Sequence, residues 1–155
     1  MVMELLNKIT PNRYIHSIVI LIVFYIMSRL VVFLSQKIIL RITKKTKTKI
    51  DDLIVAKANK PISLILLLVG LRLAIIPHPI NPNLLNLIER IISTLSIVIV
   101  AYIVIAIFDI VIGSWGKKFA SKTESRVDDE FVILFQKFSR VVVSFIGLIF
   151  ILNVW

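Results

Sequence analysis

Four long apolar blocks constrain the fold more than any other feature of the sequence. They run over Ser17–Leu34, Pro61–Ile76, Ile91–Ile112 and Phe131–Trp155. Each is long enough, or nearly so, to cross the roughly 30 Å hydrocarbon core of a bilayer as a helix. The chain is 58% hydrophobic, and its blocks lack the polar faces that a buried soluble bundle would show. The sequence therefore predicts an all-α membrane protein with four transmembrane helices.

Composition narrows the chemistry that the chain can carry. It has no cysteine, which excludes disulfides, thiolate catalysis and cysteine metal sites. Its two histidines, His16 and His78, stand far apart at block edges, and no cluster of nucleophile, base and orienting group appears. The net charge of +10 fits basic residues beside membrane spans rather than a nucleic-acid surface. We therefore expect no enzyme activity, no cofactor, no metal and no nucleic-acid partner.

Basic residues are concentrated in the first and third connections between the blocks, and they predict the topology. Arg90 is the single lysine or arginine of the middle connection, residues 77–90. The N-terminal arm, residues 1–13, has two, Lys8 and Arg13. The positive-inside rule then places the N-terminus and the middle connection outside the cell. The predicted spans of this multi-pass plasma-membrane protein cover residues 14–40, 61–76, 91–116 and 131–155. The residues expected to hold lipid headgroups of the inner leaflet are Arg41, Lys44, Lys45, Lys47, Lys49, Lys117, Lys118, Lys122 and Arg126.

A repeat relates the two halves of the chain. Residues 46–52 read TKTKIDD, and the residues 77 positions later, 123–129, read TESRVDD. The same register, without a gap, pairs Arg13 with Arg90, Tyr25 with Tyr102, and Gly70-Leu71 with Gly147-Leu148. The sequence therefore predicts two tandem helical hairpins, residues 14–76 and 91–155, as parallel repeats about an axis along the membrane normal.

Each charged heptapeptide lies at the predicted inner bend of a hairpin, where its acids can serve the helix that follows. Asp51 and Asp128 can accept hydrogen bonds from backbone N–H groups, and Asp52 and Asp129 face the positive end of the helix dipole. The alternative is a metal or phosphate site, but adjacent acids on a helix point in different directions and no third ligand is near in sequence. We predict capped, lipid-anchored turns.

Arg29, Arg72 and Asp109 are the charged residues inside the first three apolar blocks that we single out. A charge at the centre of a membrane helix costs roughly 2.5–3.5 kcal/mol. Arg29 and Asp109 lie at similar depth in the first and third spans, so we predict that they pair. Arg72 is expected to reach the outer headgroups. A proton relay is not expected, because the third span offers a single acid.

Proline, asparagine and glycine indicate where helices start, bend or pack. Pro61 predicts a kink, with residues 52–60 lying along the inner interface before the second span turns outward. Asn83, which follows two prolines, is the expected N-cap of the third helix. The glycines expected to serve as hinges or close-packing positions are Gly70, Gly113, Gly116 and Gly147.

The heptapeptides and the Gly-Leu steps together resemble the membrane region of small-conductance mechanosensitive (MscS-type) channels. In that family a basic, Thr-rich stretch, an Asp-Asp pair and an outward helix with a Gly-Leu step precede the pore helix. The resemblance covers essentially the whole chain. The matching positions are Thr46, Thr48, Asp51, Asp52, Gly70 and Leu71, and again Thr123, Ser125, Asp128, Asp129, Gly147 and Leu148.

The resemblance implies a homo-oligomeric channel, usually a heptamer, that opens under membrane tension and releases ions and osmolytes on hypo-osmotic shock. We expect this chain to be its lipid-contacting tension sensor, with the Ala/Gly-rich pore helix and the cytoplasmic domain absent, and membrane lipids as its other partners. The Ile- and Lys-rich composition is compatible with a prokaryotic or archaeal source. The alternatives are a small four-helix exporter with Asp109 as its coupling acid, and a membrane scaffold without transport.

Overall fold

A computed structural model describes residues 12–42, 50–120 and 126–155 of the chain. Within these ranges the backbone forms four helices, which we number α1 (Arg13–Ile42), α2 (Ile50–Ile75), α3 (Pro82–Ala120) and α4 (Arg126–Val154). The described residues contain no strand. The predicted all-α fold is thus confirmed for this part of the chain.

All four helices are long and apolar enough to cross a membrane. The candidate spans are Arg13–Lys37, Leu53–Ile75, Pro82–Ser114 and Glu130–Val154. Most of their large apolar side chains are exposed, and the buried apolar core is small, with Ala74, Ile92 and Ala106 among its members. This pattern is expected of helices that face lipid tails, because lipid solvates apolar side chains as well as a protein interior does.

α2 and α3 run through the positions where bends were expected. α2 is helical from Ile50 to Ile75 with Pro61 inside it, so the predicted segment along the inner interface is not separate from the span. Pro61 is buried, and neighbouring helices in a membrane protein can support the backbone around a proline. α3 likewise continues through Gly113 and Gly116, because glycine removes no backbone hydrogen-bond donor.

The start of α3 is capped by Asn81 rather than by Asn83. The Asn81 side-chain oxygen accepts a hydrogen bond from the Asn83 backbone N–H at 2.9 Å. Pro82 occupies the first helical position, where its fixed φ and missing donor are well tolerated. The expected N-cap was therefore wrong by two residues, because Pro82 begins the helix instead of preceding it.

Neighbouring helices pack side by side in alternating directions. α1 packs against α2, α2 against α3, and α3 against α4. Ser17, near the start of α1, bonds to Ala74, near the end of α2, which shows that these two helices are antiparallel. We call α1 and α2 the first helix pair, and α3 and α4 the second helix pair. α2 and α3 each lie between two neighbours, and 22% of the candidate span in α2 is buried, against 6% in each of the other three helices.

Candidate functional site

The first helix pair is closed by a hydroxyl and an imidazole at the end where α1 begins and α2 ends. Ser17 Oγ lies 2.6 Å from the Ala74 carbonyl oxygen and 2.8 Å from His78 Nε2. A serine hydroxyl has one proton, and the nearby carbonyl can only accept it, so the Ser17 oxygen accepts from the His78 Nε2–H. The Tyr14 ring packs on the His78 ring with centroids 5.2 Å apart. Two inter-helix hydrogen bonds thus converge on one side chain.

The second helix pair is closed in the same place by a hydroxyl and an indole. The Trp155 Nε1–H donates to Thr94 Oγ1 at 3.0 Å, and the Thr94 hydroxyl donates to the Arg90 carbonyl at 2.8 Å. The Arg90 guanidinium donates to the Trp155 carbonyl at 3.0 Å and lies 5.9 Å from the ring centroid. The hydroxyl and ring residues are separated by 61 positions in both pairs.

The helices of both pairs approach each other at a glycine. A Cβ added at Gly70 would lie 2.5 Å from Phe24 Cβ, so the missing side chain lets the Phe24 ring pack against the α2 backbone. A Cβ added at Gly147 would lie 3.6 Å from Ala101 Cβ, which is ordinary contact. Ala101 and Gly147 follow Phe24 and Gly70 by the 77-residue spacing of the sequence repeat. The crossing recurs, but with a large side chain in one pair and a small one in the other.

The second helix pair carries an intramembrane polar cluster that we call the bracket, formed by Asp109, Gln136 and Arg140. Arg140 Nε lies 3.1 Å and 3.2 Å from the two Asp109 carboxylate oxygens, and Arg140 Nη2 lies 3.0 Å from Oδ2. The Gln136 amide donates to the Asp109 backbone carbonyl at 2.9 Å. The bracket lies about 22 Å along α3 from Thr94, at a rise of 1.5 Å per residue. Asp109 thus has a counter-charge inside the span.

The equivalent positions of the first helix pair hold no ion pair. Residues 77 positions before the bracket are Val32, Asn59 and Ser63. Asn59 is 7% exposed, and its side-chain oxygen is buried without a hydrogen-bond partner among the described residues. Asn59 is one methylene shorter than its counterpart Gln136. The first pair therefore has an unsatisfied acceptor where the second has an inter-helix hydrogen bond.

The predicted Arg29–Asp109 pair was wrong, because Asp109 pairs with Arg140. Arg29 instead donates from Nε and Nη2 to the Tyr25 hydroxyl on its own helix, at 3.2 Å and 3.1 Å. Arg140 was not predicted from the sequence. The signal that could have found it is a lone arginine in the fourth block, because that block forms α4, which packs against the Asp109-bearing helix α3. Asp109, the coupling acid of the exporter alternative, is therefore held in an ion pair with Arg140.

The other predicted site residues divide into those the structure places and those it does not. Arg72 Nη2 lies 3.6 Å from a Glu89 carboxylate oxygen, which joins the end of α2 to the first part of α3. Gly113 and Gly116 face Gln136 and Val132 of α4, so both lie at the contact between α3 and α4. The predicted anchors and caps are outside the described residues or belong to side chains that are not described: Arg41, Lys44, Lys45, Lys47, Lys49, Asp51, Asp52, Lys117, Lys118, Lys122, Arg126, Asp128 and Asp129. Their roles remain predictions.

Comparison with known proteins gives one similarity that covers almost the whole chain. The chain is 25% identical over 154 residues to the large-conductance mechanosensitive channel MscMJLR of Methanocaldococcus jannaschii. This alignment covers 99% of the chain but 43% of that channel, so the chain spans less than half the length of its relative. No protein-family model matches the chain. No solved structure matches it either.

The similarity is to a mechanosensitive channel, and it does not extend to the small-conductance subtype. The relative is named a large-conductance channel, so the small-conductance assignment from the sequence is a finer proposal. The relative is a channel and not an enzyme, in line with the expectation for this chain. Together with the four candidate spans, the similarity supports a multi-pass protein of the plasma membrane.

Proposed function

We propose that the chain is the tension-sensing membrane domain of a small-conductance type mechanosensitive channel, which releases ions and osmolytes on hypo-osmotic shock. The observation that carries the proposal is an alignment to part of a mechanosensitive channel, which covers 99% of the chain at 25% identity. The resemblance of the two charged heptapeptides to the MscS-type membrane region supports the finer assignment. The channel is then a homo-oligomer, for which that family suggests seven subunits.

The proposed mechanism requires two states that differ in their contact with lipid. A stimulus shifts a conformational equilibrium only through a difference in free energy between the states, and for membrane tension that difference lies in area or in lipid contact. The helices present exposed apolar side chains along their length, such as Ile22, Leu95 and Phe145, and these are suited to contact lipid tails. Helix pairs that tilt or separate under tension would change the area that they occupy.

The proposed topology gives the helix pairs an anchored side. The N-terminus and residues 77–90 lie outside, and the basic residues of the first and third connections bind anionic headgroups of the inner leaflet. Each basic residue near an anionic surface contributes about 1 kcal/mol to membrane attraction. The helix pairs would then be held at the inner leaflet while tension acts on their spans.

Patch-clamp recording of the full protein under a pressure ramp tests the proposal. We expect tension-activated currents, and a changed tension threshold when Lys44, Lys45, Lys47 and Lys49 are all replaced by glutamine. The matched control replaces Lys8 and Arg13, the two basic residues predicted outside, and is expected to leave the threshold unchanged. A channel without tension-activated currents would refute the function, whereas an unchanged threshold in the lysine variant would refute the anchor alone.

A further inference from the structure

The position of α4 depends on its contact with α3. α2 is held between two neighbours, but α4 packs mainly against α3. Only 6% of the α4 candidate span is buried. Its aromatic side chains Phe135, Phe138 and Phe145 are each more than 60% exposed. Burial within the chain therefore fixes α4 less strongly than it fixes α2.

The contact between α3 and α4 is open along one side. An apolar groove of about 1310 Å³ runs between the two helices, with Val100 and Phe108 on one wall and Phe135 and Val142 on the other. None of the three bracket residues lines this groove. The groove and the bracket thus lie on different sides of the α3–α4 contact, so polar contacts join the helices on one side while the other is open.

The chemistry of the bracket makes it a strong local constraint in hydrocarbon. A lone carboxylate or guanidinium there costs several kcal/mol, so each charge of the pair stabilises the other only while α3 and α4 stay adjacent. The Asp109 side chain is 19% exposed, and the Arg140 side chain contacts both of its carboxylate oxygens. The Gln136 amide adds a bond to the α3 backbone one helical turn away from Arg140.

We propose that Arg140 and Gln136 are positioning residues that fix α4 on α3 in the inner part of the span, whereas packing between two neighbours fixes α2. In the second helix pair, the distance between the helices is thus set by polar contacts that can break as a unit. This inference goes beyond the proposed function, because it concerns helix separation and does not depend on channel activity.

Spin-label distances in the full protein, reconstituted in vesicles of phosphatidylcholine and phosphatidylglycerol, test the proposal. The chain has no native cysteine, so label pairs can be placed at equivalent positions of the two helix pairs. Suitable exposed pairs are Leu30→Cys with Lys57→Cys, and Ile107→Cys with Leu134→Cys. The bracket is removed by Asp109→Val with Arg140→Ser, which introduces the residue types of the equivalent first-pair positions.

We expect bracket removal to lengthen and broaden the Ile107–Leu134 distance distribution by about 2 Å or more, a shift of ordinary size for a packed helix. The Leu30–Lys57 distribution in the same variant should not change. Gln136→Leu, which leaves no charge unpaired, should give a smaller shift in the same direction. Arg140→Lys keeps the charge, so it should retain most of the native distance.

Two results would overturn the proposal. One is an unchanged Ile107–Leu134 distance after bracket removal, and the other is an equal change in both label pairs, which would indicate a general loss of structure. The reverse experiment adds a bracket to the first pair with Val32→Asp and Ser63→Arg. It should leave the Leu30–Lys57 distance unchanged if packing already fixes α2. None of these distances requires ion conduction, so they can fail while the proposed function stands.

Discussion

Ser17 and His78 close one end of the first helix pair, and Thr94 and Trp155 close the equivalent end of the second. In both, a ring N–H just past the end of the second helix of the pair meets a hydroxyl of the first helix. The hydroxyls differ in their own donor bonds: Ser17 donates across to α2, while Thr94 donates within its own helix. The hydroxyl therefore takes part in two bonds across the first pair and in one across the second, where the Arg90 guanidinium adds another to the Trp155 carbonyl.

Away from these ends the two pairs are held differently. In the first pair, Phe24 packs on the backbone at Gly70, and the polar residue Asn59 lacks a partner for its buried oxygen among the described residues. In the second pair, the crossing at Ala101 and Gly147 is looser, Val132 packs closely on Gly116, and the bracket supplies an ion pair and a hydrogen bond. Both pairs thus pack an apolar side chain on a glycine, and the second pair adds the bracket. The same change made at equivalent positions should therefore have different effects.

The largest difference is expected from alanine at the two crossing glycines. At Gly70 the new Cβ would lie 2.5 Å from Phe24 Cβ and 2.8 Å from its Cγ, so α1 or α2 must move. We expect Gly70→Ala to destabilise the protein by about 1–3 kcal/mol, the usual cost of overpacking. Gly147→Ala meets Ala101 Cβ at 3.6 Å and should be neutral or stabilising by up to about 1 kcal/mol, because alanine favours a helix. Reversible unfolding in mixed micelles measures both.

The double variant Gly70→Ala with Phe24→Gly is the matched control, since it removes the Phe24 Cβ that the new methyl group would meet at 2.5 Å. Relative to Phe24→Gly alone, the added Gly70→Ala should cost little stability, because the clash is with the Phe24 side chain. Equal destabilisation by Gly70→Ala and Gly147→Ala would show that the two crossings are packed equally tightly, which would contradict the looser packing inferred at Gly147.

An effect of intermediate size is expected when the hydroxyls of Ser17 and Thr94 are removed. Ser17→Ala loses the bonds to Ala74 and His78, whereas Thr94→Val loses one inter-helix bond from Trp155. At about 0.6 kcal/mol for an average inter-helix hydrogen bond in a membrane, we expect Ser17→Ala to cost about 1.2 kcal/mol and Thr94→Val about half of that. The same unfolding measurement gives the loss of stability in both variants. A greater loss in Thr94→Val would mean that the indole contact dominates.

Much of the fold could be predicted from the sequence, because a bilayer leaves few choices to an apolar block. Four blocks of spanning length predict four helices, since an exposed backbone must satisfy its own hydrogen bonds in lipid. α2 and α3 are helical through Pro61, Gly113 and Gly116, so none of these residues ends a helix. The kink at Pro61 and the hinge or close-packing roles of the glycines stay predictions.

The side-chain contacts were harder to predict, because depth along a span does not determine which face of a helix a residue occupies. Arg29 and Asp109 matched in depth, yet they occupy helices that are not main neighbours, and each has another partner. The 77-residue register of the repeat could have predicted some of these contacts. Applied to hydroxyl and ring residues, it would have related Ser17 and His78 to Thr94 and Trp155 from the sequence alone.

The smallest expected effect concerns the one bracket position where both pairs carry a carboxamide. The Asn59 oxygen is buried without a partner among the described residues, so Asn59→Leu should remove an unsatisfied acceptor and stabilise the protein by about 0.5–1 kcal/mol. Gln136→Leu removes a bond that is made and should destabilise it by a similar amount. Asn59→Gln tests the reason, because its longer side chain can reach the α1 backbone as Gln136 reaches α3. The free energy of unfolding of the three variants, measured under the same conditions, gives the sign of each change in stability. If Asn59→Leu destabilised the protein as Gln136→Leu does, the Asn59 oxygen would have a partner in the assembled protein. Polar contacts would then stabilise the first helix pair as they stabilise the second.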